Sequence, residues 1–272
     1  MAKHRTNLIS LLFGKFANKK HLKAIQNFIN GSYVKMMGLD MGEFNSPKSY
    51  ATLNELFTRS LLKKREIASG ENIAVSPCDS LITDFGKIQE NTLFQIKGMG
   101  YKLNDLLPNY SEEFLRDFNG GTYINFYLSP RDYHRYHSPL NLTAIKLTHI
   151  PGKLYPVNMP YLRKKLNLFC ENERVLLECR DQNDKKWFLV FVGALNVGKM
   201  AFNFLPDFET NISITKIREF EINKNFKFGE ELGYFKMGST IVLIAEKEAI
   251  KNTRIEINQK VKFGDLIAEV LK

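Results

Sequence analysis

A chain of 272 residues, 44% of them hydrophobic, can bury a substantial core in one large domain or two modest ones. No apolar run approaches the roughly 20 residues of a spanning helix, no secretory signal is expected, and the three cysteines Cys78, Cys170 and Cys179 lack metal-ligand spacing and fit a reducing cytoplasm. The net charge of +10 is uneven: residues 1–65 carry twelve Lys and Arg against three acids, and the remainder is nearly balanced.

In chain order, Leu8, Ile9, Leu12, Phe13 and Phe16 recur at helical spacing beside Lys15, Lys19 and Lys20. Leu22, Ile25, Phe28 and Ile29 repeat the pattern, with Asn30-Gly31 as the expected stop. This spacing predicts two short basic amphipathic helices. They suit docking on a core with a solvated basic face, or attachment to an anionic membrane surface with lysines over the headgroups. Nucleic acid is not expected, because the basic residues are interleaved with aliphatics and no binding motif accompanies them. Thr52 with Glu55 three residues on forms a capping box, and Leu53, Leu56, Phe57 and Leu61 share one face of a third helix that Lys63-Lys64-Arg65 would close.

From about Ile67 the pattern shortens into strands divided by Gly, Pro, Asn and Asp: Ile73–Val75, Leu93–Ile96, Tyr123–Leu128, Ala144–Leu147, Trp187–Val192 and Ile241–Ile244. Leu103–Leu107 and Glu112–Phe118 are expected as helical exceptions. The alternation from Ile255 to Ala268, turning at Gly264-Asp265, suits a small barrel-sandwich fold. The fold class expected is α+β, with N-terminal amphipathic helices in residues 1–65 and a β-rich, barrel-sandwich-like catalytic body in 66–272.

Three stretches carry chemistry. Gly238-Ser239 stands between an aromatic approach and a β-branched run. The glycine has no side chain to block attack on its carbonyl, and the serine hydroxyl lies one residue downstream, so the bond can break itself; Gly-Ser-Thr is also ordinary loop punctuation. Tyr127-Leu-Ser-Pro-Arg-Asp-Tyr-His-Arg-Tyr-His137 sets His134 and His137 three apart. They could serve acid–base work near neutral pH, hydrogen-bond in a turn, or, with a third ligand, hold the metal of a hydrolase. Asp79, in Ser76-Pro-Cys-Asp79, is a turn-former or the third member of a Ser-His-Asp relay in the order Asp, His, Ser.

Together these stretches resemble the phosphatidylserine decarboxylases, pyruvoyl-dependent and self-processing. The resemblance extends to Thr52-Leu-Asn-Glu-Leu-Phe-Thr-Arg59, Pro151-Gly-Lys-Leu-Tyr-Pro-Val-Asn158, Asn172-Glu-Arg-Val175 and Val192-Gly-Ala194; Cys78-Asp79-Ser80 stands where the family usually reads Ala-Asp-Gly. It implies a proenzyme cut between Gly238 and Ser239, giving a 1–238 chain and a 239–272 chain capped by a pyruvoyl group formed from Ser239. His137, oriented by Asp79, would activate Ser239. Phosphatidylserine would bind the ketone as a Schiff base, lose CO2, take a proton from His134 and leave as phosphatidylethanolamine, with Tyr127 helping to orient the headgroup. No metal is implied. The implied partners are an anionic phospholipid surface, at the cytoplasmic face of the cell membrane and held peripherally, the two fragments as a heterodimer, and a homodimer of these. A decarboxylase of a related serine lipid such as archaetidylserine, or a non-catalytic membrane-surface binding protein, are the rival readings.

Overall fold

The computed structural model describes residues 5–195, 199–211, 216–236 and 239–271. It begins with α1 (Arg5–Asn18) and α2 (Lys23–Met37). The expected stop at Asn30-Gly31 is not one. The Asn30 side chain points inward and donates to the carbonyls of Pro47 and Tyr50 at 2.9 and 3.0 Å. The helix runs on to Gly38, whose left-handed backbone (φ 64°) lets its N–H reach Val34 O. Helix α3 is shorter than expected, Leu53–Phe57. Its capping box forms on one side as anticipated, Thr52 Oγ1 accepting from Glu55 N at 3.0 Å, while the Glu55 carboxylate takes Ala51 N at 2.8 Å. Lys63-Lys64-Arg65 therefore closes no helix, and Arg65 has another task.

α1 and α2 bury Ala17 and Tyr33, with Phe13, Ile29 and Val34 packed against the core, but are otherwise turned inside out. Their buried residues include Asn7, Ser10, Gln26 and Asn30, while Leu12, Leu22, Phe28 and Met36 are 67%, 77%, 75% and 71% exposed. The inward polar groups find partners, Asn7 Nδ2 on Gly152 O at 3.1 Å and Gln26 Nε2 on Asn30 Oδ1 at 2.8 Å, which offsets most of their burial, although Gln26 Oε1 has no partner among the described residues.

The body is β-rich as expected. In chain order its strands are β1 (Ile73–Val75), β2 (Ser80–Lys87), β3 (Thr92–Phe94), β4 (Gly100–Lys102), β5 (Thr122–Tyr127), β6 (Arg135–His137), β7 (Leu142–Ile150) and β8 (Arg174–Arg180). There follow β9 (Lys186–Val192), β10 (Met200–Phe202), β11 (Arg218–Phe226), β12 (Glu231–Phe235), β13 (Thr240–Ala245), β14 (Ile250–Thr253), β15 (Lys260–Val261) and β16 (Leu266–Val270). Short helices at Leu103–Leu106 and Glu112–Arg116 fall where helical exceptions were expected. Eight strands form an open sheet in the order β11-β7-β8-β9-β13-β5-β2-β15; smaller sheets β1-β16-β14 and β10-β12-β6 pack on it. The result is sandwich-like, without closure into a barrel. The turn at Gly264-Asp265 forms, with Gly264 at φ 96° and Asp265 N on Lys262 O, but it carries the chain from β15 in the large sheet to β16 in a smaller one and makes no hairpin.

Strand β13 explains its own composition. It pairs with β5 on one side and β9 on the other, and Ile241, Leu243 and Ala245 enter one apolar cluster while Val242 and Ile244 enter a second across the sheet. All six of its residues are fully buried. A strand covered on both faces reads as an unbroken apolar run.

Candidate active site

The residue at the head of that strand is Ser239. Its carbonyl accepts from Leu128 N at 2.9 Å, and the next residue, Thr240, pairs with Tyr127 and Val192. The Ser239 side chain is fully buried, and Oγ has no hydrogen-bond partner among the described residues. A buried unpartnered hydroxyl costs about 1–3 kcal/mol, which makes it a reactive-group candidate rather than a structural one. Gly238, on the other side of the expected cut, lies outside the described residues.

Tyr127 and Leu128 border an apolar cavity of about 750 Å³ whose far wall is made by Phe13, Phe28, Tyr33 and Met36 of α1 and α2. Tyr127 also borders a second, more polar cavity of about 350 Å³ lined by Asp79, Ser129, Arg131 and Lys260. The tyrosine thus stands between an apolar cavity walled by the exposed helices and a more polar one, on the strand that pairs with Thr240.

His134 is fully buried under α3, its ring 4.0 Å from that of Phe57. Nδ1 is 2.8 Å from Asp132 O; a carbonyl only accepts, so Nδ1 carries the proton and Nε2 is the basic nitrogen. Nε2 has no partner among the described residues. Burial, and then the nearby Arg59 charge, push the imidazole down to about 3, against the opposing pull of the Asp132 carbonyl. The backbone carbonyl of His134 receives Phe235 N at 2.9 Å, tying it to β12, which leads toward Ser239.

His137 lies at the end of β6 in a different setting. Its Nδ1 donates to Gly229 O at 3.0 Å, its Nε2 meets the Tyr133 hydroxyl at 3.1 Å, and its ring stacks on Phe263 with centroids 3.6 Å apart. Burial pushes it down to about 4, opposed by the bond to the Gly229 carbonyl. Both histidines are therefore neutral bases at neutral pH, one with both nitrogens engaged and one with a bare lone pair.

The expected direct contact between Asp79 and His137 is absent. The Asp79 carboxylate is gripped by the Arg65 guanidinium, one bond at 2.9 Å, and accepts Phe263 N at 2.8 Å. Arg65 in turn holds Glu43 at 2.8 and 2.9 Å. A carboxylate already saturated by a bidentate guanidinium has little to offer an imidazole. Asp79 reaches His137 at one remove, by fixing the backbone of the residue whose ring stacks on it. Ser80 needs no glycine-like conformation here: it is not among the residues with positive φ and it opens β2.

Sequence reasoning does not single out Arg65, Tyr133 or Phe263. Tyr133 stands inside the histidine stretch and could be named as its hydroxyl-bearing neighbour; Arg65 reads as a helix-end charge, and nothing local marks Phe263. Among the described residues no three His, Cys, Asp or Glu side chains gather as a metal site.

The family model for phosphatidylserine decarboxylase matches residues 53–269. Among curated proteins, the chain is 42% identical over 266 residues to the phosphatidylserine decarboxylase proenzyme of Helicobacter pylori strain J99, covering 97% of each chain. It is 44% identical over 267 residues to that of Campylobacter jejuni, covering 96% of this chain and 97% of the relative. With the proenzyme of Brevibacillus brevis it shares 36% over 243 residues, 87% of this chain and 85% of the other.

Proposed function

The chain belongs to the phosphatidylserine decarboxylase family, and on that premise we propose that it is a self-cleaving proenzyme that removes CO2 from the serine headgroup of phosphatidylserine, leaving phosphatidylethanolamine for membrane synthesis. The observation that carries this is the buried Ser239 Oγ at the head of β13, without a partner among the described residues, next to Tyr127 and Leu128, which border a cavity walled by lipid-like side chains.

In the processing step the Ser239 hydroxyl adds to the carbonyl carbon of residue 238, its proton passing to His137, and the peptide nitrogen is released as the free amine of an ester. Loss of the α-proton of Ser239 then expels the 1–238 carboxylate, and water replaces the resulting enamine nitrogen, which leaves as ammonia. Once formed, a pyruvoyl ketone at position 239 supplies an electron sink for the carbanion left by CO2. The buried surroundings of Ser239 suit such a group, since among the described residues no protein donor competes for the place of its oxygen. The chain's own residues do the rest. His134 presents Nε2 for proton transfer, Tyr127 stands between the apolar and polar cavities where a headgroup meets its acyl chains, and the surrounding aromatic and aliphatic wall keeps water away.

The two fragments would stay together as a heterodimer, because β13 belongs to the short one and is hydrogen-bonded on both sides by strands of the long one. The inverted helices give the membrane contact. No described helix is long and apolar enough to cross a bilayer, but Leu12, Leu22, Phe28 and Met36 make an outward apolar face with basic neighbours, suited to peripheral docking on an anionic surface at the cytoplasmic face. The reading is tested by incubating the purified chain with phosphatidylserine vesicles: CO2 release that requires prior cutting at 238–239 supports it, and an uncut chain with no release of CO2 rejects it.

A further inference from the structure

Arg59 is a buried cation with no carboxylate in contact among the described residues. It is 2% exposed, its guanidinium stacks 4.4 Å from the Phe44 ring centre, and among the described residues Nε has no hydrogen-bond partner. Its good bonds go to main chain: Nη2 donates to Arg131 O at 2.9 Å and to Asp132 O at 3.3 Å, and Nη1 reaches Leu56 O at 3.5 Å. Taking a guanidinium out of water without a counter-ion is expensive, several kcal/mol after relaxation, so its position calls for a reason other than stability. The carbonyl it holds supplies one. Asp132 O is the same atom that accepts the Nδ1 proton of His134.

We propose that Arg59 is the positioning residue that keeps His134 as a δ-protonated imidazole with Nε2 bare: the guanidinium clamps the Arg131 and Asp132 carbonyls, and the clamped Asp132 carbonyl takes the Nδ1 proton. Phe57, two residues before Arg59, closes the opposite side by packing on the imidazole ring, so one short segment, residues 57–59 at the end of α3, sets both the ring's place and its tautomer. The charged and titratable groups around this unit act in a consistent direction. Arg59 is the cation that bears on His134. Tyr33, Tyr50, Asp79 and Asp132 bear on Arg59 itself, each favouring its charged form against burial. An imidazole held this way must take a proton before it can give one. On the function proposed above, the substrate's ammonium is the proton source: it must lose a proton to become a nucleophile, and that proton is then at hand for the α-carbon after CO2 leaves, the product amine being reprotonated from solvent on release.

The test is nitrogen NMR of the histidine rings in the full-length chain carrying Ser239→Ala, with the His134 signals assigned by a His134→Gln variant. This form is in one piece whether or not the self-cleavage reading holds, so failure of one does not imply failure of the other. The expected result is a single Nδ1–H tautomer for His134 that does not titrate between about pH 5 and 8. In Arg59→Gln the midpoint rises by roughly one pH unit and an Nε2–H population grows in. In Arg59→Lys, which keeps the charge but not the two-carbonyl fork, the midpoint stays low while the tautomers mix. An Nε2–H tautomer in the chain with Arg59 intact overturns the proposal even if the variants do not fold, and so does a folded Arg59→Gln chain whose tautomer and midpoint are unchanged.

Discussion

The N-terminal helices and the central strand solve opposite problems with the same kinds of residue. β13 buries all six of its side chains and takes a hydrogen-bonded neighbour on each side, whereas α1 and α2 turn Asn7, Ser10, Gln26 and Asn30 inward and leave Leu12, Leu22, Phe28 and Met36 outside. The body is complete in water and the helices are not. Their apolar side stays open, and the cavity they roof reaches Tyr127 and Leu128, whose strand end is hydrogen-bonded to the Ser239 carbonyl.

If that contrast is right, changes in the body should abolish chemistry and changes in the helices should abolish only delivery. The most drastic outcome belongs to Ser239→Ala, which should leave a single full-length band on a denaturing gel; a small fragment from that variant would move the cut elsewhere. His137→Ala should also stay uncut. His134→Ala separates two roles within the body, since it should cut normally yet lose about 10²–10⁴-fold in turnover, the usual worth of a positioned acid–base group. Normal turnover would release His134 from its role. On the helices, Leu12→Asp with Phe28→Asp removes two exposed apolar anchors, each worth about 1.5–3 kcal/mol when fully buried. Vesicle sedimentation should fall by at least about tenfold while cutting proceeds unchanged, and a defect in cutting would show that the helices support the body after all.

A gentler effect concerns stability against pH. His134 and His137 are pushed down from the ordinary value to about 3 and about 4 in the folded chain, so below pH ~6.5 the unfolded chain binds protons that the folded one refuses. Stability is full above that value and falls as pH drops from ~6.5 toward ~4 for His137 and ~3 for His134, on the order of several kcal/mol for the pair. Glu43, lowered to about 2 by its bond to Arg65, loses its contribution only further down, below the ordinary glutamate range. Urea midpoints measured across the upper window should therefore slope less in His137→Gln than in the parent chain.

Much of this was legible in the sequence wherever the signal was local or periodic. The amphipathic spacing of α1 and α2, the capping role of Thr52 and the apolar run of β13 each follow from neighbours in the chain. Asn30-Gly31 misled because a helix stop depends on what the asparagine can bond to, and here it bonds carbonyls 17 and 20 residues away instead of ending its own helix. The candidate site shows the same limit. Ser239, His134, His137, Tyr127 and Asp79 were readable as residue types in telling stretches, and the structure sets Ser239 against the Tyr127-Leu128 strand end. The partners were not readable: Arg65 reaches Asp79 across 14 positions and Phe263 reaches it across 184, and no pattern along the chain encodes a contact of that length. Which nitrogen of each imidazole holds the proton is likewise decided by carbonyls at Asp132 and Gly229 that only the fold brings near.

Everything in the chemistry depends on Ser239 turning itself into the reactive group, and intact mass of the purified wild-type chain decides whether it does. Two species are predicted, residues 1–238 and residues 239–272, the second with a ketone in place of its serine amine and hydroxyl. A chain that remained a single species while still releasing CO2 from phosphatidylserine would refute this chemistry.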